Sequence, residues 1–248
     1  MKPLILLLIP LIIIFSNCNK ESVATNAGFT TGAGGSLARF AIAGNYMYTV
    51  DEKKLTTYDI TNPANPVLKK VTDVGFQIET IFPFHDKLFI GSTTVIHIFS
   101  IADPSNPQKL STAISPDVMR RCDPVVAKDT VAFATLRTNG PCGGMNSILA
   151  VFDIKDITKP IQKASFLLSE PYGLGYAGNA LYVCDKQKGL MIMNITNPYN
   201  PILISSLKDG SYIDVIPYQN ILVCWVTTGI IVYDISNVFQ PVRLSTIN

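Results

Sequence analysis

The side chains in this sequence that could do chemistry are few. Five cysteines (Cys18, Cys122, Cys142, Cys184 and Cys224), two histidines (His85 and His97) and 18 carboxylates make up the reactive set. Two histidines leave little material for a histidine-based metal site or a general base. Neither Cys122 nor Cys142 sits in a CxxC, and no histidine lies beside them, which speaks against a metal or dithiol redox pair. No GxSxG, HExxH, P-loop or GxGxxG occurs, and the glycine-rich Gly32-Ala33-Gly34-Gly35 has no strand before it. A hydrolase or lyase would have to draw an acid–base pair from Asp73, Glu79, Asp117, Glu170 and Asp209. Asp59, Asp153 and Asp234 recur at one position of a repeated unit, which marks a structural turn. The expectation is a non-enzymatic protein without cofactor or metal, a small carboxylate-based hydrolase or lyase being the alternative.

The elements that would position these residues are set by repetition. Five segments end alike: YDITNPANP (58–66), FSIADPSNP (99–107), FDIKDITKP (152–160), MNITNPYNP (193–201) and YDISNVFQP (233–241). Upstream of each sits a polar turn followed by an alternating strand: GNYMYTV (44–50), HDKLFIG (85–91), KDTVAFA (128–134), GNALYVC (178–184) and QNILVCW (219–225). Short apolar runs, Asn-Gly-type turns and β-branched residues favour strands, and no helical stripe recurs. Asn-Pro-x-Asn-Pro breaks helix and ladder alike and must be a loop. Four strands in each unit of about 40 residues is the pattern of a propeller blade. The fold class expected is therefore all-β, a five-bladed β-propeller of four-stranded antiparallel blades over residues 37–248. Its closure stays open: either first and last blades pack face to face, or residues 22–31 add a strand.

The units resemble LVIVD repeats, through strands such as Gly189-Leu190-Met191-Ile192-Met193-Asn194-Ile195 and Gly229-Ile230-Ile231-Val232-Tyr233-Asp234-Ile235 and the (Asp/Asn)-Ile-(Ser/Thr)-Asn-Pro-x-x-Pro element. The resemblance implies a β-propeller in an extracytoplasmic bacterial protein and lends no catalytic residues. Units two, three and five depart from the Asn-Pro pattern at Asp103, Ile157 and Val238. The N-terminus reads separately. Met1-Lys2 followed by the Leu/Ile run Leu4–Phe15 is too short to span a bilayer and reads as a secretory segment. Phe15-Ser16-Asn17-Cys18 resembles a bacterial lipoprotein signal of the spirochaete and Bacteroidota kind, which implies a signal peptide over 1–17 and acylation, by palmitate for example, at Cys18. An ordinary signal peptide with an incidental cysteine is the alternative. Residues 18–36 then form a flexible tether, with a reach of roughly 20–25 Å. The compartment expected is the cell envelope, lipid-anchored to the outer membrane or cell surface, where disulfides persist.

In this register the short Asn/Asp turns and Asn-Pro loops lie on one rim, nearly identical between units. The other rim varies, and variable loops are where binding sites gather. It carries Phe76, Tyr172 and Tyr212 before inner strands, Trp225 at a loop, and Arg120, Arg121 and Arg137 around unit three. These residues read either as a binding mouth for a protein or small anionic ligand, or as axis-filling aromatics beside solvated arginines. Unit three has a longer loop, and Cys142 within it shares a rim with Cys122. A disulfide between them is the expectation, contributing on the order of 3 kcal/mol in the chain-entropy view. Cys184 and Cys224 point toward each other across the seam of units four and five. Sheets pack about 10 Å apart and a disulfide wants Cα atoms within about 7 Å, so buried thiols are favoured over a bond. A net charge of +2 with 15% charged residues gives no nucleic-acid signature.

Overall fold

The computed structural model describes residues 34–117, 124–138 and 146–248. Among them are twenty strands in five four-stranded sheets, each a meander in chain order. Blade one holds β1 (Phe40–Ala43), β2 (Tyr46–Val50), β3 (Lys54–Asp59) and β4 (Val67–Asp73). Blade two holds β5 (Ile78–Phe84), β6 (Lys87–Ser92), β7 (Ile96–Ser100) and β8 (Gln108–Ala113). Blade three holds β9 (Val125–Lys128), β10 (Val131–Leu136), β11 (Ser147–Asp153) and β12 (Ile161–Leu168). Blade four holds β13 (Pro171–Ala177), β14 (Ala180–Asp185), β15 (Gly189–Asn194) and β16 (Ile202–Leu207). Blade five holds β17 (Tyr212–Tyr218), β18 (Ile221–Val226), β19 (Gly229–Asp234) and β20 (Val242–Ile247). The protein is an all-β five-bladed propeller, as the repeat spacing predicts. β1 begins later than the expected Leu37, because Ala38 N–H bonds back to the Gly35 carbonyl and closes a turn there.

Each repeat motif has a mechanical counterpart. In every blade a side-chain oxygen at the end of the third strand accepts the backbone N–H two residues on. The pairs are Asp59–Thr61, Ser100–Ala102, Asp153–Lys155, Asn194–Thr196 and Asp234–Ser236. A second turn follows at once, through Asn62–Ala64, Asp103–Ser105, Asp156–Thr158, Asn197–Tyr199 and Asn237–Phe239. These Asx-type turns satisfy backbone donors where the prolines forbid a ladder. Asp103, Ile157 and Val238 therefore leave the turn intact; the acceptor comes from the residue in register. The third and fourth strands of every blade also share a β-bulge, which adds twist and tilts the outer strand.

Apolar cores fill four seams. Blades one and two meet over Tyr48, Leu55 and Phe99, and blades two and three over Phe89, Ile98 and Phe152. Blades three and four meet over Phe133, Leu149 and Leu181, and blades four and five over Tyr182, Leu222 and Tyr233. One repeat position recurs in this set. Tyr48, Phe89, Phe133 and Tyr182 are each fully buried and fill the seam with the next blade. The corresponding residue of blade five is Val223, which is only half-buried. Among the described residues no fifth apolar core joins blade five to blade one. The segment Gly34–Leu37 bridges there instead: Ser36 Oγ donates to Asp214 Oδ1 (3.1 Å) and accepts from Leu174 N–H (2.7 Å). Leu37 N–H donates to Asp214 Oδ2 at 3.2 Å. Residues 22–31, the other closure expected from the sequence, lie outside the described residues.

Candidate functional site

The variable rim is built where inner strands begin and where second and third strands connect. Phe76 lies in the crossing before β5, 72% exposed, with Lys53 Nζ 5.0 Å from its ring centre. That distance suits a cation–π contact. Arg137, just past β10, lays its guanidinium over the Tyr172 ring at 4.2 Å. The Tyr172 hydroxyl donates to Glu170 Oε1 (3.3 Å), and Glu170 also pairs with Lys186 at 3.1 Å. Burial lifts the Glu79 carboxyl above its ordinary range, while Arg137 and Arg39 pull it back. Neither arginine is ion-paired among the described residues.

Trp225, on β18, is 54% exposed. Tyr212 behaves differently. It is buried, and its hydroxyl meets Asp209 Oδ1 at 2.5 Å and the Tyr233 hydroxyl at 2.6 Å. The Tyr233 hydroxyl lies 2.9 and 2.8 Å from the two Asp209 oxygens. Burial alone would raise Asp209, but the two hydroxyls and the nearby Arg243 hold its carboxyl below the usual value. Tyr212 is thus packed inside the blade and is not exposed at the rim. Arg120, Arg121, Cys122 and Cys142 lie outside the described residues. The ends of the long loop are described: Thr138 N–H donates to Ser147 Oγ at 3.2 Å, which pinches its base.

The axis is lined by other residues than the rim aromatics. A cavity of about 360 Å³ runs between Phe82, Phe84, Tyr176 and Tyr218 of the inner strands. The acid–base candidates are dispersed. Asp117 accepts from Gln162 (2.5 Å), Glu170 from Lys186, Asp209 from the tyrosines, and Asp73 ends the exposed strand β4. Among the described residues no three His, Cys, Asp or Glu side chains group as a metal site. Cys184 and Cys224 are free thiols, both fully buried in the core between blades four and five. Burial raises both thiols above their ordinary range. Asp214 was not legible from the sequence as a special residue. Burial pushes its carboxyl up to about 6, against the lowering effect of N–H donors from Leu37 and Val215 and the Ser36 hydroxyl.

A family model, the LVIVD repeat, matches residues 34–74 and 176–209. These are units one and four, the two whose Asn-Pro turns follow the full pattern. No curated protein matches the chain. Solved structures do. The computationally designed Ika8 protein is 13% identical with a TM-score of 0.58, covering 82% of this chain and 59% of its own. A functionally unknown protein from Desulfotomaculum acetoxidans is 10% identical with a TM-score of 0.64, covering 88% and 69%. Sqt1 from Saccharomyces cerevisiae is 11% identical with a TM-score of 0.56, covering 83% and 61%. This chain spans about three fifths of the designed protein and of Sqt1. Likeness at such identities is a likeness of fold alone.

Proposed function

We propose that this LVIVD-repeat β-propeller is a binding module held at the cell envelope by a lipid on Cys18, and that its variable rim takes an acidic protein surface. The observation that carries this reading is the Arg137–Tyr172 stack. A guanidinium held over a ring face keeps N–H donors for a carboxylate, and the ring contact already restrains its side chain. Arg39, one residue ahead of β1, adds a second guanidinium on the rim where inner strands begin, while exposed Phe76 and Trp225 supply aromatic contact area. These groups come from blades one, three, four and five and from the crossing into blade two, a spread that suits a protein surface better than a small anion. The long loop of blade three, tied by a Cys122–Cys142 bond, borders this mouth in the same reading. Glu170 and Asp209 support a binding role over catalysis, since each is already engaged by neighbouring side chains.

The test has two arms. Cross-linking in the native envelope identifies the partner, and its affinity is then measured for Arg137→Ala and Tyr172→Ala. Each variant should weaken binding by roughly tenfold or more, as central anchors do. The loss should shrink at high salt, where ion pairing is screened. Unchanged affinity in both variants overturns the rim as the contact surface. For the anchor, Cys18→Ala should move the protein from the detergent phase to the aqueous phase, and unchanged partitioning overturns the lipid.

A further inference from the structure

The seam between blades five and one holds space that the other seams fill. A cavity of about 310 Å³ is walled by Phe40 and Ile42 of blade one, Ile216 and Trp225 of blade five, and Gly34-Gly35. A second space of about 280 Å³ shares Ile216 and Trp225 and reaches Val223 and Ile230. The space follows from one side chain: Val223 stands where Tyr48, Phe89, Phe133 and Tyr182 plug their seams. The volume lies at the small end of ligand pockets, which run from about 300 to 1,000 Å³.

Among the described residues the walls are apolar with one exception. Asp214 lines both spaces, is 7% exposed, and projects from β17. Its acceptors are met by Ser36 Oγ–H, Leu37 N–H and Val215 N–H, all neutral donors. Among the described residues no lysine, arginine or histidine forms an ion pair with it. Neutral donors satisfy the lone pairs but leave the unit charge uncompensated in surroundings of low polarity, where a cation gains most from it. Phe40, 59% exposed, and Trp225, 54% exposed, are two aromatic rings lining the space, and aromatic rings attract ammonium groups.

We infer that this seam is a binding site for a small hydrophobic ammonium compound, with its cationic head at Asp214 and its hydrocarbon body against Trp225, Phe40 and Ile216. The site shares the Trp225 ring with the variable-rim mouth, but its charge is carried by Asp214 and its test does not depend on that mouth. It recognises the opposite charge. Its occupant is defined by that charge and by an apolar body that completes the seam.

Trp225 is the only tryptophan of the chain, so its fluorescence reads the site directly. The full-length protein is titrated with cyclohexylmethylamine, which is cationic at neutral pH, and with the uncharged cyclohexylmethanol and the anionic cyclohexaneacetate. The amine should give a saturable change at a concentration about tenfold or more below the alcohol, the discrimination expected of one charge-assisted contact. The carboxylate should give none. Asp214→Asn should bring the amine to the level of the alcohol. Val223→Phe, which fills the seam as the other blades do, should abolish the response and raise Tm, and it keeps the test decisive if Asp214→Asn fails to fold. Equal affinity for amine and alcohol in the native chain, no saturable response, or undiminished amine binding in Val223→Phe overturns the proposal.

Discussion

Every turn between the first and second strands of a blade begins with a residue at positive φ. The five are Gly44 (57°), His85 (51°), Asp129 (53°), Gly178 (54°) and Gln219 (52°). In this left-handed region a β-carbon costs about 1 kcal/mol, which glycine avoids. Gln219→Gly should therefore raise stability by roughly 0.5–1 kcal/mol, a gain of a few degrees in Tm by calorimetry. Gly229→Ala should do the reverse. Its φ is 138°, and a β-carbon there would meet the Ile247 carbonyl, so a loss of more than about 2 kcal/mol is expected. At this scale the sequence is legible wherever a side chain acts on its own neighbourhood. Asp59, Asp153 and Asp234 read correctly as turn formers because the N–H each accepts lies two residues away. Asp214 was opaque for the opposite reason. Asp214 meets Ser36 across 178 residues, and no local pattern records such a partner.

At the scale of elements, the seams differ in how they join. The Tyr48 hydroxyl donates to the Pro104 carbonyl (2.9 Å), and Tyr182 donates to Val238 O (2.7 Å), each reaching the turn of the following blade. Phe89 and Phe133 hold the same place without a hydroxyl. Tyr182→Phe should cost about 1–2 kcal/mol, since it removes one hydrogen bond and strips the Val238 carbonyl of that donor, while the ring keeps its packing. Denaturant unfolding measures the difference, and a neutral result would mean that the hydroxyl only fills space. Cys184 and Cys224 belong to this same seam, as their positions after the turn residues predict. The repeat spacing made the blades readable, because hydrophobic alternation and turn chemistry are local. Which side chain plugs a seam was not readable, because it depends on the facing blade.

At the scale of the molecule, two buried titratable groups oppose one another in their pH dependence. Burial, helped by Lys109, lowers His97 from 6.5 to about 4, so the stability it permits is present above 6.5 and lost as pH falls toward 4. Burial raises Asp214 from 3.8 to about 6, so its contribution is present below 3.8 and lost as pH rises through 6. Each shift corresponds to about 3 kcal/mol, and the signs are opposite over one window. Stability between pH 4 and 6.5 should therefore be nearly flat in the native chain. Asp214→Asn should unmask a rise with pH, and His97→Gln a fall; chemical denaturation across the window reads both, and identical profiles in the variants would refute the assignment. The circular order of blades follows from five repeats, whereas the manner of closure rests on contacts between chain ends that no repeat encodes. That closure gives the ring a mechanical direction. Four seams resist shear through packed aromatics, and the fifth is a slit held by hydrogen bonds at Ser36 and Leu37. A tug on the chain ahead of Gly34 is delivered to that latch before it reaches any blade, so the ring yields there first, like a split washer opened at its cut.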